Sequence, residues 1–476
     1  MPTTRIFRIA LLPNLIFFAG ALLAQTSNSK QTTPHPMSPQ DRTQLHKALD
    51  AYDAGNAAQA EPLLRDLSKR YPANYEANEA LGSLYAEGGD YAQALTFLKH
   101  AAELAPREAL AQANLGATLL KLRQPNEAVV ALKKATALDP KNVSALSNLG
   151  QSLMAMTPKP RPEEAATALA SASKLAPQDA DLKYNLAVAL YQSGSAASAA
   201  KSAAVLATLP PDAMTDQVHA LAADAEEHSG RFPEALAHFQ KAAQMNPSDA
   251  NLYALTVELL RHWTWPEAIK VANFGSERFP ASSHFQVAAG IGYYANSEYK
   301  QAIRVFSHLL ESDSNNASYA DLLGRSCSLL AEGENAGCAE IYRFAERHPG
   351  NAVTTTYAAV AILHEPTEKH DLDKAAQLLH AATAADPTYA EAWFQMGVLD
   401  QAELHWKESV TDLKQSIALR PFSAEAHYRL SRAYAHLGQR DEAKAEIALH
   451  QTYSQQAKDS LNARMQEVMT FILKPS

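Results

Sequence analysis

Residues 77–106 read ANEALGSLYAEGGDYAQALTFLKHAAELAP, and residues 111–140 read AQANLGATLLKLRQPNEAVVALKKATALDP. Laid over one another without a gap, the two windows share an early Leu-Gly pair, a small residue after the centre and a terminal Pro, 34 residues apart. A third window, LKYNLAVALYQSGSAASAAKSAAVLATLPP at residues 182–211, keeps the same order. Self-similarity at a fixed period of this length predicts a stack of small supersecondary units, each covering its neighbour's apolar face.

The small residue can be followed along the chain as Ala60, Ala94, Ala128, Ala165, Ala199, Ala235, Ala268, Ala302, Gly337, Ala375, Ser409 and Ala443, with steps of 33 to 38 residues. The two longest steps coincide with the Pro-rich TPKPRP (Thr157 to Pro162) and the polar HEPTEKHD (His364 to Asp371). Both read as insertions at the bend between paired helices, where a repeat array accepts them. Most units close on a Pro, as at Pro72, Pro106, Pro140, Pro177 and Pro247, because Pro cannot continue a helix. The pattern is faintest near Thr215, Asn251 and Asn351.

From about Asp41 to Lys458 this pattern resembles the tetratricopeptide repeat. Its Leu-Gly pair stands as Leu81-Gly82, Leu115-Gly116, Leu149-Gly150 and Leu323-Gly324, relaxed to Leu186-Ala187, Met396-Gly397 and Leu430-Ser431. The resemblance implies an all-α fold, a right-handed α-solenoid of about twelve helix pairs, with the Gly of each pair set against the small residue of the second helix. Residues 41–213 and 214–457 form its N-terminal and C-terminal parts. Residues 458–476, with Leu461, Met465, Val468, Met469 and Ile472 near helical spacing, predict a capping helix.

The chain's beginning reads differently. Arg5 and Arg8 precede an apolar run from Ile9 to Ala24, a pattern that predicts an export signal over residues 1–24 and a periplasmic or secreted product. An uncleaved N-terminal anchor is the alternative. Residues 25–40, rich in Pro, Thr and Ser, predict a disordered linker, and no later stretch is apolar enough for a membrane span.

Hydrophobic residues make up 47% of the chain but aromatics only 8%, which suits thin helix-on-helix layers. With 51 acidic against 42 basic residues, and no Lys/Arg run to track a phosphate backbone, nucleic acid is not an expected partner. No phosphate loop, zinc helix, CxxC pair or nucleophile elbow occurs, and signal, linker, repeats and cap leave no segment for a catalytic domain. No enzymatic activity and no cofactor are therefore expected. His364, Glu365, Glu368, His370 and Asp371 cluster in the HEPTEKHD insert, but on a bend without a supporting framework they are read as solvated, and the other histidines show no ligand spacing, so no metal is assigned.

The expected activity is protein or peptide binding. In the family the first helices line the concave groove, which here gathers Glu76, Glu79 and Glu87 near the start. Tyr184, Tyr191, Tyr294, Phe394 and Tyr428 follow, with Arg325, Arg429 and Arg432, residue types enriched at binding hot spots. Asn114, Asn148 and Asn185 each precede the Leu of the repeat's pair and resemble the asparagine ladder of peptide-binding superhelices, whose amides hold an extended backbone. On that reading their side chains face open water. A structural subunit of a cell-envelope assembly is the second reading; the oligomeric state is undetermined by sequence. Trp263, at a bend that elsewhere carries Gly, has no counterpart in the repeat. Cys327 and Cys338 fall on opposite arms of one helix pair around the bend Glu332-Gly333-Glu334, a spacing that fits a disulfide in an oxidising compartment as well as two buried thiols.

Overall fold

The computed structural model describes residues 37–330, 337–363 and 369–459. The predicted signal, nearly all of the linker, the bend at 332–334, the first part of the HEPTEKHD insert and most of the capping segment lie outside these residues. The described residues are all-helical, and the chain divides at Met245/Asn246 into two compact units.

Among the described residues the first unit contains six antiparallel helix pairs. They are α1 (Pro39–Asp53) with α2 (Ala57–Arg70), α3 (Tyr75–Glu87) with α4 (Tyr91–Leu104), and α5 (Ala109–Lys121) with α6 (Pro125–Leu138). After them come α7 (Val143–Ala155) with α8 (Pro162–Leu175), α9 (Ala180–Gln192) with α10 (Ala196–Leu206), and α11 (Asp216–His228) with α12 (Phe232–Met245). Among its described residues the second unit contains six more. They are α13 (Asp249–Arg261) with α14 (Trp265–Arg278), α15 (Ser283–Ala295) with α16 (Tyr299–Ser312), and α17 (Ala317–Cys327) with α18 (Ala339–Arg347). The last are α19 (Ala352–Leu363) with α20 (Lys369–Ala385), α21 (Ala390–Ala402) with α22 (Trp406–Leu419), and α23 (Ala424–His436) with α24 (Arg440–Asp459).

Local chemistry sets the ends of these helices. Asn74, Asn142 and Asp179 accept from the backbone N–H three residues on at 2.7, 2.9 and 3.0 Å, satisfying donors that a helix start leaves open. The tight turn inside a pair needs one residue at positive φ. Gly89 supplies it at +83°, but Arg123, Trp263, Ser297 and Leu404 adopt the same conformation at +58 to +65° in their own pairs.

Within each unit a first helix packs on its own second helix, on the second helix of the preceding pair and, across the stack, on neighbouring first helices. Second helices rarely touch one another, so the first-helix side is the tighter one. Stability on this plan is a sum of nearest-neighbour interfaces.

The small-residue column is where those interfaces close: Ala60, Ala94, Ala128, Ala165, Ala199, Ala235, Ala268 and Ala302 are completely buried. Gly337 departs from it, because α18 begins only at Ala339 and leaves Gly337 in the preceding turn at φ +102°. A second column lies four residues further on, at Leu64, Leu98, Leu132, Leu169, Phe239, Phe306, Ile341, Leu379 and Leu413, all buried. It is this second column that needs the repeat's glycine. A Cβ on Gly82, Gly116, Gly150 or Gly397 would stand 2.4–2.6 Å from the Cγ of Leu98, Leu132, Leu169 or Leu413. The small residue is close as well, since Ser409 Oγ donates to the Gly397 carbonyl at 2.9 Å.

Two boundaries differ from the sequence reading. Helix α1 begins at Pro39, capped by Ser38, two residues inside the predicted linker. The division expected at 213/214 falls within the first unit, because the short 3-10 turn Pro211–Ala213 leaves α10 packed directly on α11. Leu206, Leu209, Val218 and Leu221 form one buried cluster across it.

Candidate functional site

In the first unit the three ladder asparagines do not face open water. Asn114, Asn148 and Asn185, on α5, α7 and α9, are 5%, 6% and 0% exposed. Asn114 Nδ2 donates to Glu79 Oε1 on α3 at 2.7 Å and to Ser83 Oγ at 3.2 Å. The reason is stacking: a residue just before the Leu-Gly pair looks toward the preceding first helix, not away from it. Burial raises the Glu79 carboxyl to about 7, opposed by the hydrogen bonds from Asn114 and Ser83, and its Oε2 has no hydrogen-bond partner among the described residues. Glu76 and Glu87 are exposed, and Glu87 accepts from the Tyr52 hydroxyl at 2.8 Å.

The aromatic and arginine positions separate into several places. Tyr184 is buried with Val188, Leu206 and Leu221, and Tyr191 is half-buried, its ring edge-on to His228 at 6.3 Å. Phe394 packs against Leu413, Leu430 and Tyr434. Tyr428 is exposed beside His450, Arg429 donates to Glu425 at 3.1 Å, and Arg432 points from the surface of α23.

Tyr294 and Arg325, by contrast, are brought together in the second unit. They line a cleft of about 580 Å³ with Tyr299, Tyr357, Tyr389, Gln395 and Arg420, spanning the first helices α15, α17, α19 and α21. Arg325 Nε donates to Asp321 at 3.1 Å, Arg420 Nη1 to Glu391 at 3.4 Å, and Gln395 Nε2 to Glu391 at 2.9 Å. Burial pushes the Tyr357 and Tyr389 phenols well above their usual range, so both remain neutral hydroxyls at physiological pH. Gly324 makes room for one of them: a Cβ there would lie 2.4 Å from the Tyr357 ring. The cleft thus offers ring faces, hydroxyls, an amide and two guanidiniums already oriented by carboxylates. This is a set suited to holding a polypeptide by apolar contact and hydrogen bonds.

Tyr357, Tyr389, Gln395 and Arg420 escaped the sequence reading. One signal was available for Tyr389, which occupies the N-cap of α21, where Asn74, Asn142, Asp179 and Asn316 cap other first helices. A Tyr there makes no capping bond and serves the cleft instead. The cleft's edge, Ser328 and Leu329, directly follows Cys327, which is joined to Cys338 with Cα atoms 6.0 Å apart.

The tetratricopeptide-repeat sequence pattern matches this chain at residues 45–109 and 161–213 in one form, and at 109–142 and 424–448 in another. These matches, with the repeated helix pairs and their two buried columns, show that the chain contains tetratricopeptide repeats. No curated protein matches it. Among solved structures it is similar to the Naa15/Naa10 complex bound to HypK-THB, at 13% identity over 86% of this chain and 68% of that one, with a TM-score of 0.40. It is also similar to YrrB, described as a TPR protein with an unusual peptide-binding site, at 17% identity over 44% of this chain and 87% of that one, TM-score 0.30. A third is pilF of Pseudomonas aeruginosa, at 18% identity over 44% of this chain and 94% of that one, TM-score 0.35. Among the described residues no helix is long and apolar enough to cross a membrane.

Proposed function

We propose that the chain is a non-catalytic protein-interaction scaffold that takes an extended peptide or a partner helix in the cleft between α15, α17, α19 and α21. The observation that carries this reading is the convergence of Tyr294, Arg325, Tyr357, Tyr389 and Arg420 from successive repeats on one cleft. Tyr and Arg are the residues on which binding energy most often concentrates. The test is selection of binders from a random-peptide display library against the full chain, followed by titration with variants. Arg325→Glu and Tyr389→Ala should each weaken a selected peptide tenfold or more. Arg432→Ala, on the surface of α23 and outside the cleft, is the control and should leave the affinity unchanged. Binders insensitive to both cleft substitutions overturn the reading.

The export signal over residues 1–24 belongs to the same proposal, with residence in the periplasm or outside the cell. The Cys327–Cys338 bond supports it, since structural disulfides persist in oxidising compartments. N-terminal sequencing of fractionated cells tests it: a chain beginning near Gln25 supports export, and an intact Met1 in the cytoplasm overturns it.

A further inference from the structure

In the first unit the second helices α8 and α10 both pack on α9 and scarcely touch each other. Between them runs a groove of about 890 Å³, where α9 supplies Leu186 and Leu190, α8 supplies Ala166 and Ala170, and α10 supplies Ala204 and Val205. The preceding gap, between α6 and α8, is bridged, because Lys133 Nζ donates to Glu164 Oε2 at 2.7 Å. One repeat further on, the same two positions relative to the small-residue column hold Ala170 and Ser198, both in the groove lining. These side chains are too short to reach across, so the gap between α8 and α10 stays open.

Its charge is one-sided. Lys174 on α8, Lys183 on α9 and Lys201 on α10 line it against the carboxylate of Glu163. Lys183 Nζ donates to the uncharged Thr208 carbonyl at 3.2 Å, and among the described residues neither Lys174 nor Lys201 is held in an ion pair. A chain of net charge −9 thus sets three cations around an apolar floor.

We propose that this groove docks an acidic amphipathic helix of a partner protein, with its apolar ridge on Leu186, Leu190 and Val205 and its carboxylates on Lys174, Lys183 and Lys201. From Glu163 to Lys174 the α8 wall runs ~17 Å, and a helix ~10 Å across fills ~1300 Å³ over that length. A groove of about 890 Å³ therefore takes the larger part of one helix and leaves its far face outside. Ala166 and Ala170 stand one turn apart, so the ridge of an incoming helix can approach the wall closely. The lysine stems extend the apolar wall and carry their ammonium groups to the rim, where carboxylates pair with them while both stay hydrated. A polynucleotide would meet the same lysines but would gain little from the leucine floor, and the lining holds no aromatic ring for a base to stack on.

The test selects from a displayed library of amphipathic helices, randomised along the apolar face and its flanks, against the full chain. The recovered helices should carry Glu or Asp beside the apolar face, and their affinity should fall severalfold between about 50 and 300 mM salt. Lys174→Glu and Lys201→Glu should each weaken them tenfold or more, and Ala170→Trp, which fills the groove from an exposed position, should block them. Circular dichroism melts of these surface variants should match the parent. Arg325→Glu, in the cleft of the second unit, should leave the helices bound as before, which separates this surface from the cleft. Recovery of no helix, of helices without acidic enrichment, or of helices indifferent to both lysine substitutions overturns the proposal. Tighter lysine-dependent binding of single-stranded DNA or of anionic lipid vesicles to the same groove overturns it as well.

Discussion

Asn114 Nδ2 donates to Glu79 Oε1 across 2.7 Å, joining the first helices of two successive repeats inside the stack. An amide in this position is structural. Asn114→Ala should destabilise the first unit by about 1–3 kcal/mol, because it takes from a buried carboxyl the shorter of its two hydrogen bonds and leaves only that from Ser83 at 3.5 Å. Glu79→Gln, which keeps an acceptor and removes the charge, should cost less. Urea unfolding of both variants decides the matter; equal stability of Asn114→Ala and the parent would show that the bond contributes nothing.

The same carboxyl makes stability depend on pH. Glu79 titrates near 7 when folded, against ~4.3 in an unfolded chain, so the unfolded state releases its proton first. Its contribution is fully present below about pH 4 and is lost as pH rises through 7. Glu79→Gln should therefore flatten the stability profile between pH 4 and 7. An unchanged slope in that window would mean that the carboxyl is ionised in the folded protein throughout.

A second carboxyl, Asp400, works in the same direction. Burial first, and the Asp412 carboxylate second, raise Asp400 to about 7. Asp400→Asn removes the repulsion that appears once both groups ionise. It should raise Tm at pH 8 and leave it nearly unchanged at pH 5, and a loss of Tm at pH 8 would contradict this. Both residues are partly exposed, so solvent screening keeps the gain modest.

Glycine substitutions should separate by what a methyl group meets. Gly116→Ala places a Cβ 2.4 Å from Leu132 Cγ and should cost about 1–3 kcal/mol. Gly88→Ala has nothing nearer than 3.4 Å and should be neutral to slightly stabilising. Thermal melts of the two variants that coincide would refute the close approach.

Leu404 is 68% exposed and sits at φ +63° where Gly89 sits at +83° in its own pair. A left-handed non-glycine residue costs about 1–2 kcal/mol, and the greater unfolded-state freedom of glycine offsets up to about 1 of that. Leu404→Gly should then leave stability unchanged or raise it slightly, although it deletes a large apolar side chain. Gly89→Leu, subject to the same offset, should leave stability unchanged or lower it by up to about 2 kcal/mol. Chemical denaturation reads both, and a clear loss in Leu404→Gly would reveal a packing role for that side chain.

The architecture was legible in the sequence because one requirement, a residue small enough for two helices to meet, recurs at Ala60, Ala94, Ala128 and onward with few exceptions. The site was less so. Repeat alignment places Asn114 before Leu115 but does not say which neighbour that position faces, and its partner Glu79 stands 35 residues away. Tyr357 belongs to the repeat near Asn351, where the pattern is faintest, and Tyr389 replaces a capping residue, so neither fits the motif that directs attention to the groove.

The ninth pair has a shape of its own. Helix α18 is nine residues long, and the Gly324 of α17 makes room for Tyr357 from the next repeat rather than for a side chain of its own second helix. In a ladder whose rungs are held only by adjacent rungs, a short rung has no bypass, and this one carries the chain's covalent link, Cys327 to Cys338, beside the cleft edge. Reduction should therefore act as a fuse: the first amides to lose protection from hydrogen exchange should be those of α18, which braces both α17, the helix of Arg325, and α19, the helix of Tyr357.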